Sequence, residues 1–235
     1  MEKIKYNPEL FDILRDLVSI SNSVIIQKSD GNISIKKTDS DVTIAYCLKA
    51  PANHFDFPDT NDDVTFYNYG EFYQYFKSFD KPDIFIDNAK ITLKENNSKI
   101  DYVLSNPESF EKKIPKEPKF GEPDISFKLK PEDHDEIIKM ITLIKPQKAR
   151  IVGNSKKVSI CIFNKLHSNT WEKTFKVEKA NADQEVDFLI FSSTFLNVPP
   201  KREYSFNIKS QGFVKISLLN NDMNLDIITG KVKTD

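Results

Sequence analysis

The chain says nearly the same thing twice. The segment from Lys90 to Val103 returns as Lys215 to Ile228: Lys, Ile, Leu, Asn and Asp recur at five of fourteen positions, and Thr/Ser, Ile/Leu and Val/Ile replace one another at three more. The offset is 125. It recurs between Ile33-Ser34-Ile35 and Val158-Ser159-Ile160, and an offset of 124 relates Asp12-Ile13-Leu14-Arg15 to Glu136-Ile137-Ile138-Lys139. One short alternating match is easily produced by chance, whereas agreement of offset along a whole chain is not. Two similar halves imply internal pseudo-symmetry, each half a unit with its own core. A chain of 235 residues is long enough for two such cores.

The halves read as the same programme. Asn7 fits a helix N-cap and Pro8 the first turn. Leu10, Phe11, Leu14, Leu17 and Val18 then fall on one helical face. Val24 to Ile26, a turn at Ser29 to Asn32, and Ile33 to Ile35 read as a hairpin. Strands are expected at 42–47 and 64–67, a short aromatic helix near 71–79, and closing strands at 83–86, 90–94 and 99–104. Residues 105–127 change character: Pro107, Pro115, Pro118 and Pro123 with interspersed Lys and Glu mark an extended surface connector. The second half opens with a helix from about Pro131, stopped by Pro146. Strands are expected at 149–152, 158–163, 171–177 and 186–190, then a short helix at 192–197 before Pro199-Pro200, and strands at 204–208, 214–219 and 225–228. The expected organisation is therefore 1–104, a connector 105–127, and 128–235. The fold class is α+β, each half carrying two helices and antiparallel sheets.

Composition narrows the function. With 34 basic and 35 acidic residues the net charge is −1. That removes any bulk attraction to nucleic acid, so contact with DNA needs local charge segregation. Cys47 and Cys161 each sit in an apolar, strand-like run and read as free thiols in a reducing compartment. The N-terminus lacks the apolar region of a signal peptide, and no run approaches the ~20 apolar residues of a membrane span. A soluble, intracellular protein is expected. Six glycines offer no G-x-G-x-x-G, P-loop or nucleophile elbow. His54, His134 and His167 are scattered; His54 with Asp56 could be two ligands, but a polar loop explains them equally well. Asp59, Asp62 and Asp63 lack the glycine and closing glutamate of a calcium loop. Glu132, Asp133, Asp135 and Glu136 suit the positive end of a helix. No catalytic residue, metal or cofactor is expected, and the chain does not read as an enzyme.

Ile13-Leu14-Arg15-Asp16-Leu17-Val18-Ser19-Ile20-Ser21 resembles the first-helix signature of DNA sliding clamps from T-even-type bacteriophages, in the wider proliferating cell nuclear antigen family. Glu132-Asp133 followed by Ile137-Ile138-Lys139 is similar to the matching helix of their second domain, and Val158 to Lys165, ending Phe-Asn-Lys, to the strand after it. The likeness in element order covers nearly the whole chain. It implies a DNA clamp fold, and a homotrimeric six-domain ring that encircles duplex DNA without sequence preference. It also implies that an ATP-driven clamp loader and a DNA polymerase dock on one face, in the cytoplasm of a host cell if the protein is viral. By position, the DNA-facing residues implied are Arg15, Lys77, Lys139, Lys145, Lys148 and Lys201. Asp12 and Asp16 flank Arg15, so this lining is only weakly basic. Subunit edges are implied at Ile100, Tyr102 and Leu104 and at Trp171, Thr174, Phe175 and Val177. A partner-peptide pocket is implied at Phe110, Ile114, Phe120, Ile228 and Val232. The alternative reading is a duplicated β-rich phage tail or carbohydrate-binding protein.

Overall fold

Helix α1 (Pro8–Asp16) starts where the sequence says it must: the Asn7 side chain accepts the Glu9 amide at 2.9 Å, and Pro8 fills a position whose N–H would go unused. Its Leu10, Phe11, Ile13 and Leu14 are buried. The fold described here is a computed structural model, covering residues 1–39, 43–58, 63–106, 120–164, 168–181, 184–219 and 222–232. The chain divides into two compact units, Met1–Thr38 with Cys47–Lys116, and Asp39–Tyr46 with Glu117–Asp235.

The first unit runs β1 (Glu2–Ile4), α1, β2 (Val24–Ser29), β3 (Asn32–Thr38), β4 (Ile44–Pro51, its first residues grouped with the second unit), β5 (Asp63–Phe66), α2 (Tyr69–Lys77), β6 (Asp83–Ile86), β7 (Lys90–Glu95) and β8 (Ser98–Val103). One sheet has the order β1-β6-β7-β8, and β5, β2, β3 and β4 lie side by side in another. Asn68 caps α2 by accepting the Glu71 amide at 3.0 Å, so that helix begins two residues before the expected Glu71. The core is aromatic. Phe11 is fully buried, with ring centroids of Tyr6 at 5.6 Å, Phe55 at 5.6 Å, Phe72 at 5.7 Å and Phe76 at 4.9 Å.

The second unit runs β9 (Ile125–Leu129), α3 (Pro131–Ile144), β10 (Lys148–Asn154), β11 (Lys157–Asn164), β12 (Asn169–Lys176), β13 (Lys179–Ala180), β14 (Glu185–Phe191), α4 (Ser193–Leu196), β15 (Tyr204–Lys209), β16 (Phe213–Leu218) and β17 (Asn224–Gly230). Its sheets have the orders β12-β11-β10-β14 and β13-β9-β15-β16-β17. The Thr229 hydroxyl donates to the Thr43 carbonyl at 3.2 Å, tying the residue just before β4 to β17. Phe127 stacks between Phe175 at 4.6 Å and Phe206 at 4.9 Å.

The repeat in the sequence is a repeat in register. In the first hairpin Lys90 faces Val103, Ile91 faces Tyr102 and Thr92 faces Asp101. In the second, each pair moves by 125: Lys215 faces Ile228, Ile216 faces Ile227, Ser217 faces Asp226. The shared residues form the same cross-strand group. Thr92 donates to Asp101 at 2.6 Å with Lys90 3.0 Å away; Ser217 donates to Asp226 at 2.6 Å with Lys215 3.6 Å away. Such facing pairs stabilise a sheet surface and set its register.

Three strands depart from expectation. β1 has one buried residue, Ile4, too little apolar character to announce a strand. β9 begins at Ile125, inside the segment read as connector; Ile125, Phe127 and Leu129 are all buried and pair with β15, so the proline-rich composition ahead of them masked a core strand. The short β13 also went unread. Elsewhere strands differ from expectation by a few residues at their ends.

A tight approach closes the β10–β11 hairpin. A Cβ added at Gly153 would lie 2.3 Å from the Lys157 carbonyl oxygen and 2.6 Å from Val158 Cα. Both are main-chain atoms that cannot swing aside. Gly153→Ala is expected to destabilise the second unit by roughly 1–3 kcal/mol, read as a lowered midpoint in urea with unchanged slope.

Candidate nucleic-acid interface and subunit edges

Arg15 and Lys77 come from different helices, α1 and α2, and meet on one side chain. The Arg15 guanidinium lies 5.7 Å from the Tyr73 ring centroid and the Lys77 ammonium 5.9 Å from it. The phenol donates to Asp12 at 2.6 Å. Burial, then the bond to the Asp12 carboxylate, pushes the Tyr73 hydroxyl up to about 12, so it stays protonated and donating. Arg15 also pairs with Asp16 at 3.0 Å. The second unit has no such gathering among the described residues. Lys139 is exposed midway along α3, Lys145 is its exposed left-handed cap at φ 51°, Lys148 opens β10 half-buried, and Lys201 is exposed at φ 61° after the proline pair. Leu143 and Leu196, on α3 and α4, are exposed. Lys173 on β12 takes up two of the α3 carboxylates, pairing with Asp133 at 2.7 Å and with Glu136.

Helix α3 is tied to α4 by a buried histidine. His134 is fully buried and its Nε2 lies 2.9 Å from the Phe195 carbonyl, which can only accept, so Nε2 carries the proton. Nδ1 is buried without a hydrogen-bond partner among the described residues. Burial lowers the pKa below its ordinary 6.5, outweighing the Phe195 bond and the nearby Asp135. The unfolded chain therefore takes up the proton first as pH falls, and stability is lost below about pH 6.5. The thermal midpoint is expected to fall between pH 7 and pH 5, and His134→Gln to remove that part of the fall; an identical pH profile in the variant would exclude it.

Both expected subunit edges are sheet edges. β8 ends the β1-β6-β7-β8 order and β12 ends β12-β11-β10-β14. The side chains need sorting, however. Tyr102 is buried against Phe66 and Phe72, and its hydroxyl donates to the Asn68 carbonyl at 3.0 Å. Phe175 is buried against Phe127. Each serves its own core and offers an edge only its main chain. Ile100 faces the fully buried Leu93 and is half-buried; Leu104 is half-buried, its amide donating to Ala89. Trp171 faces the buried Ile162 and is half-buried, and Val177 follows the strand, its amide donating to Lys156. Thr174 is exposed, in a hydroxyl pair with Ser159 at 2.8 Å. The residue the sequence reading missed is Val103, 73% exposed on β8. Alternation was the available signal, since Ile100 and Tyr102 share one face.

Of the five pocket residues, Phe110 and Ile114 lie outside the described residues. Phe120 sits with the Lys215 ammonium 5.4 Å from its ring, and Lys215 faces Ile228 across the β16–β17 ladder, on the same sheet face. Phe213 belongs to that face and is 50% exposed, an apolar residue the sequence reading passed over. Val232 is bonded instead to Leu189 of β14, its amide 2.7 Å from the Leu189 carbonyl. Cys47 is buried and Cys161 half-buried, and neither is in a disulfide. Among the described residues no group of three or more His, Cys, Asp or Glu is arranged to hold a metal, and His54 instead meets the Asn7 amide at 3.3 Å. No helix is long and apolar enough to cross a membrane.

No protein-family model matches the sequence, and no curated protein matches it. Solved structures match it over its whole length. PCNA of A. fulgidus, bound to the C-terminal region of FEN-1, superposes with a TM-score of 0.80 at 12% identity, covering 100% of both chains. PCNA from Entamoeba histolytica gives 0.78 at 14% identity, covering 98% of each. PCNA from Thermococcus kodakaraensis gives 0.77 at 10%, covering 98% of this chain and 99% of the other. The chain has the PCNA clamp fold.

Proposed function

We propose that the protein is a DNA sliding clamp: three copies close head to tail into a ring around duplex DNA and tether a DNA polymerase to it. The observation that carries this reading is the end-to-end match to PCNA, with a TM-score of 0.80 over the full length of both chains. Two properties of the chain support it. Each unit presents an edge strand, β8 in one and β12 in the other, and a head-to-tail interface needs two different edges. The charge is near neutral, with cations sparse on the helices. A topological link needs no tight contact with phosphates, and weak contact permits sliding.

On this reading Arg15, Lys77, Lys139, Lys145, Lys148 and Lys201 are candidates to approach the phosphates. Phe120 and Ile228, with Phe213, form the apolar floor on which a partner's peptide docks. An ATP-driven loader opens the ring, and the work is binding, without catalysis. The Ile13 to Ser21 signature favours a clamp of the T-even bacteriophage kind, acting in the host cytoplasm.

Threading tests this without a cognate polymerase. Without a loader to open it, a closed ring reaches DNA only over an end, so it is expected to bind a linear duplex with free ends and to be excluded when streptavidin caps both ends. Equal binding to open and capped duplex would overturn the topological reading in favour of ordinary surface binding.

A further inference from the structure

Arg15 and Lys77 would be unremarkable as separate surface cations. What sets them apart is that α1 and α2 deliver both to the ring of Tyr73, at 5.7 and 5.9 Å. The neighbouring carboxylates lie lower. The Asp16 side chain is only 9% exposed against 53% for Arg15, and Asp12 is half-buried under the bond from the Tyr73 phenol at 2.6 Å. Cations therefore stand outward and anions inward, so the local field seen from solvent is positive although the cluster sums to zero.

We propose that Tyr73 is a positioning residue for DNA: its ring holds Arg15 and Lys77 together as one phosphate-contacting pair, and its hydroxyl keeps the Asp12 carboxylate away from them. This rests on the clamp reading and deepens it. A free Lys or Arg loses rotamer freedom when it settles on a phosphate. A ring that already confines both head groups removes part of that loss before DNA arrives. Arg15 presents a flat fork, while Lys77 acts as a point charge, so the pair suits adjacent oxygens of a sugar–phosphate backbone rather than a base edge. The expected contact is with phosphate and independent of sequence. The second unit carries no aromatic counterpart beside Lys139 among the contacts described, so the tighter grip on phosphate belongs to the first unit.

The test uses the intact protein and a fluorescein-labelled blunt duplex, with anisotropy titrated across a range of salt. Tyr73→Leu removes ring and hydroxyl, and is expected to weaken binding roughly fivefold and to flatten the plot of log affinity against log salt. Tyr73→Phe keeps the ring and is expected to restore the slope and most of the affinity. A mere packing role would move the thermal midpoint but not the salt slope. Wild-type affinity and slope in Tyr73→Leu, alongside a loss in Arg15→Gln/Lys77→Gln, would overturn the positioning role alone. No loss in that double variant either would remove the pair from the DNA face as well, while the capped-end experiment reports separately on the ring. Should Tyr73→Leu fail to fold, wild-type NMR decides: the Tyr73 ring and Arg15 side-chain signals are expected to shift together on adding duplex, and an unmoved ring would overturn the proposal.

Discussion

Val103→Glu and Thr174→Glu will each dissociate the ring, and an equimolar mixture of the two variants will stop at dimers. In a head-to-tail ring every interface joins the β8 edge of one copy to the β12 edge of the next. Val103 is 73% exposed on β8 and Thr174 is exposed on β12, so neither substitution touches a core. An uncompensated carboxylate buried in such an interface costs about 3–5 kcal/mol, or roughly two to four orders of magnitude in affinity. Val103→Glu spoils one edge and leaves β12 intact; Thr174→Glu does the reverse. Mixed, they make one good interface per pair, and the two spoiled edges are left outside. Light scattering should therefore give single-chain mass for each variant and twice the chain mass for the mixture. If the edges paired like with like, each variant alone would already be a dimer through its unspoiled edge, Thr174→Glu through Val103-to-Val103 contacts, instead of a single chain.

Phe11→Ala will remove about 3–5 kcal/mol from the first unit, a large share of the 5–15 kcal/mol typical of a whole domain. Phe11 is fully buried at the meeting of α1, α2 and the loop carrying Phe55, with four other rings within 5.7 Å. Alanine leaves a cavity that the neighbouring rings cannot close without leaving their own partners. The thermal midpoint should fall by roughly 4–8 °C per kcal/mol, and hydrogen exchange should quicken in α1 and α2 first. Phe213→Ala is the control of equal size change: at 50% exposure it should cost far less, and equal losses would mean that the aromatic cluster does not hold the first unit together.

What could be read from the sequence was whatever the chain wrote in periodicity. The duplicated hairpin was visible because Lys90, Thr92 and Asp101 and their counterparts Lys215, Ser217 and Asp226 must face one another across a ladder, which constrains residue type as well as spacing. α1 was visible from its Asn7 cap and apolar spacing, and α3 from apolar spacing between Pro131 and Pro146. β9 was not, because three buried residues behind a proline run look like a linker until β15 is known to lie beside them. β1 was not, because an edge strand with one buried side chain carries no pattern of its own.

The site was less legible than the fold. The resemblance implied Tyr102 and Phe175 at the subunit edges, but on an alternating strand the large apolar side chains go to the chain's own core. The residues left for a partner are those such as Val103 on the other face. Tyr73 is legible only in three dimensions: its partners Arg15 and Asp12 lie about sixty residues away, on another helix. Proximity of that kind leaves no periodic trace.

The claim that matters most is ring closure, and one experiment addresses it directly: light scattering of the purified chain combined with negative-stain images of the same fractions. The account predicts a species of three times the 27.1 kDa chain mass, seen as a ring with a central hole. A stable monomer or dimer without a hole would contradict it.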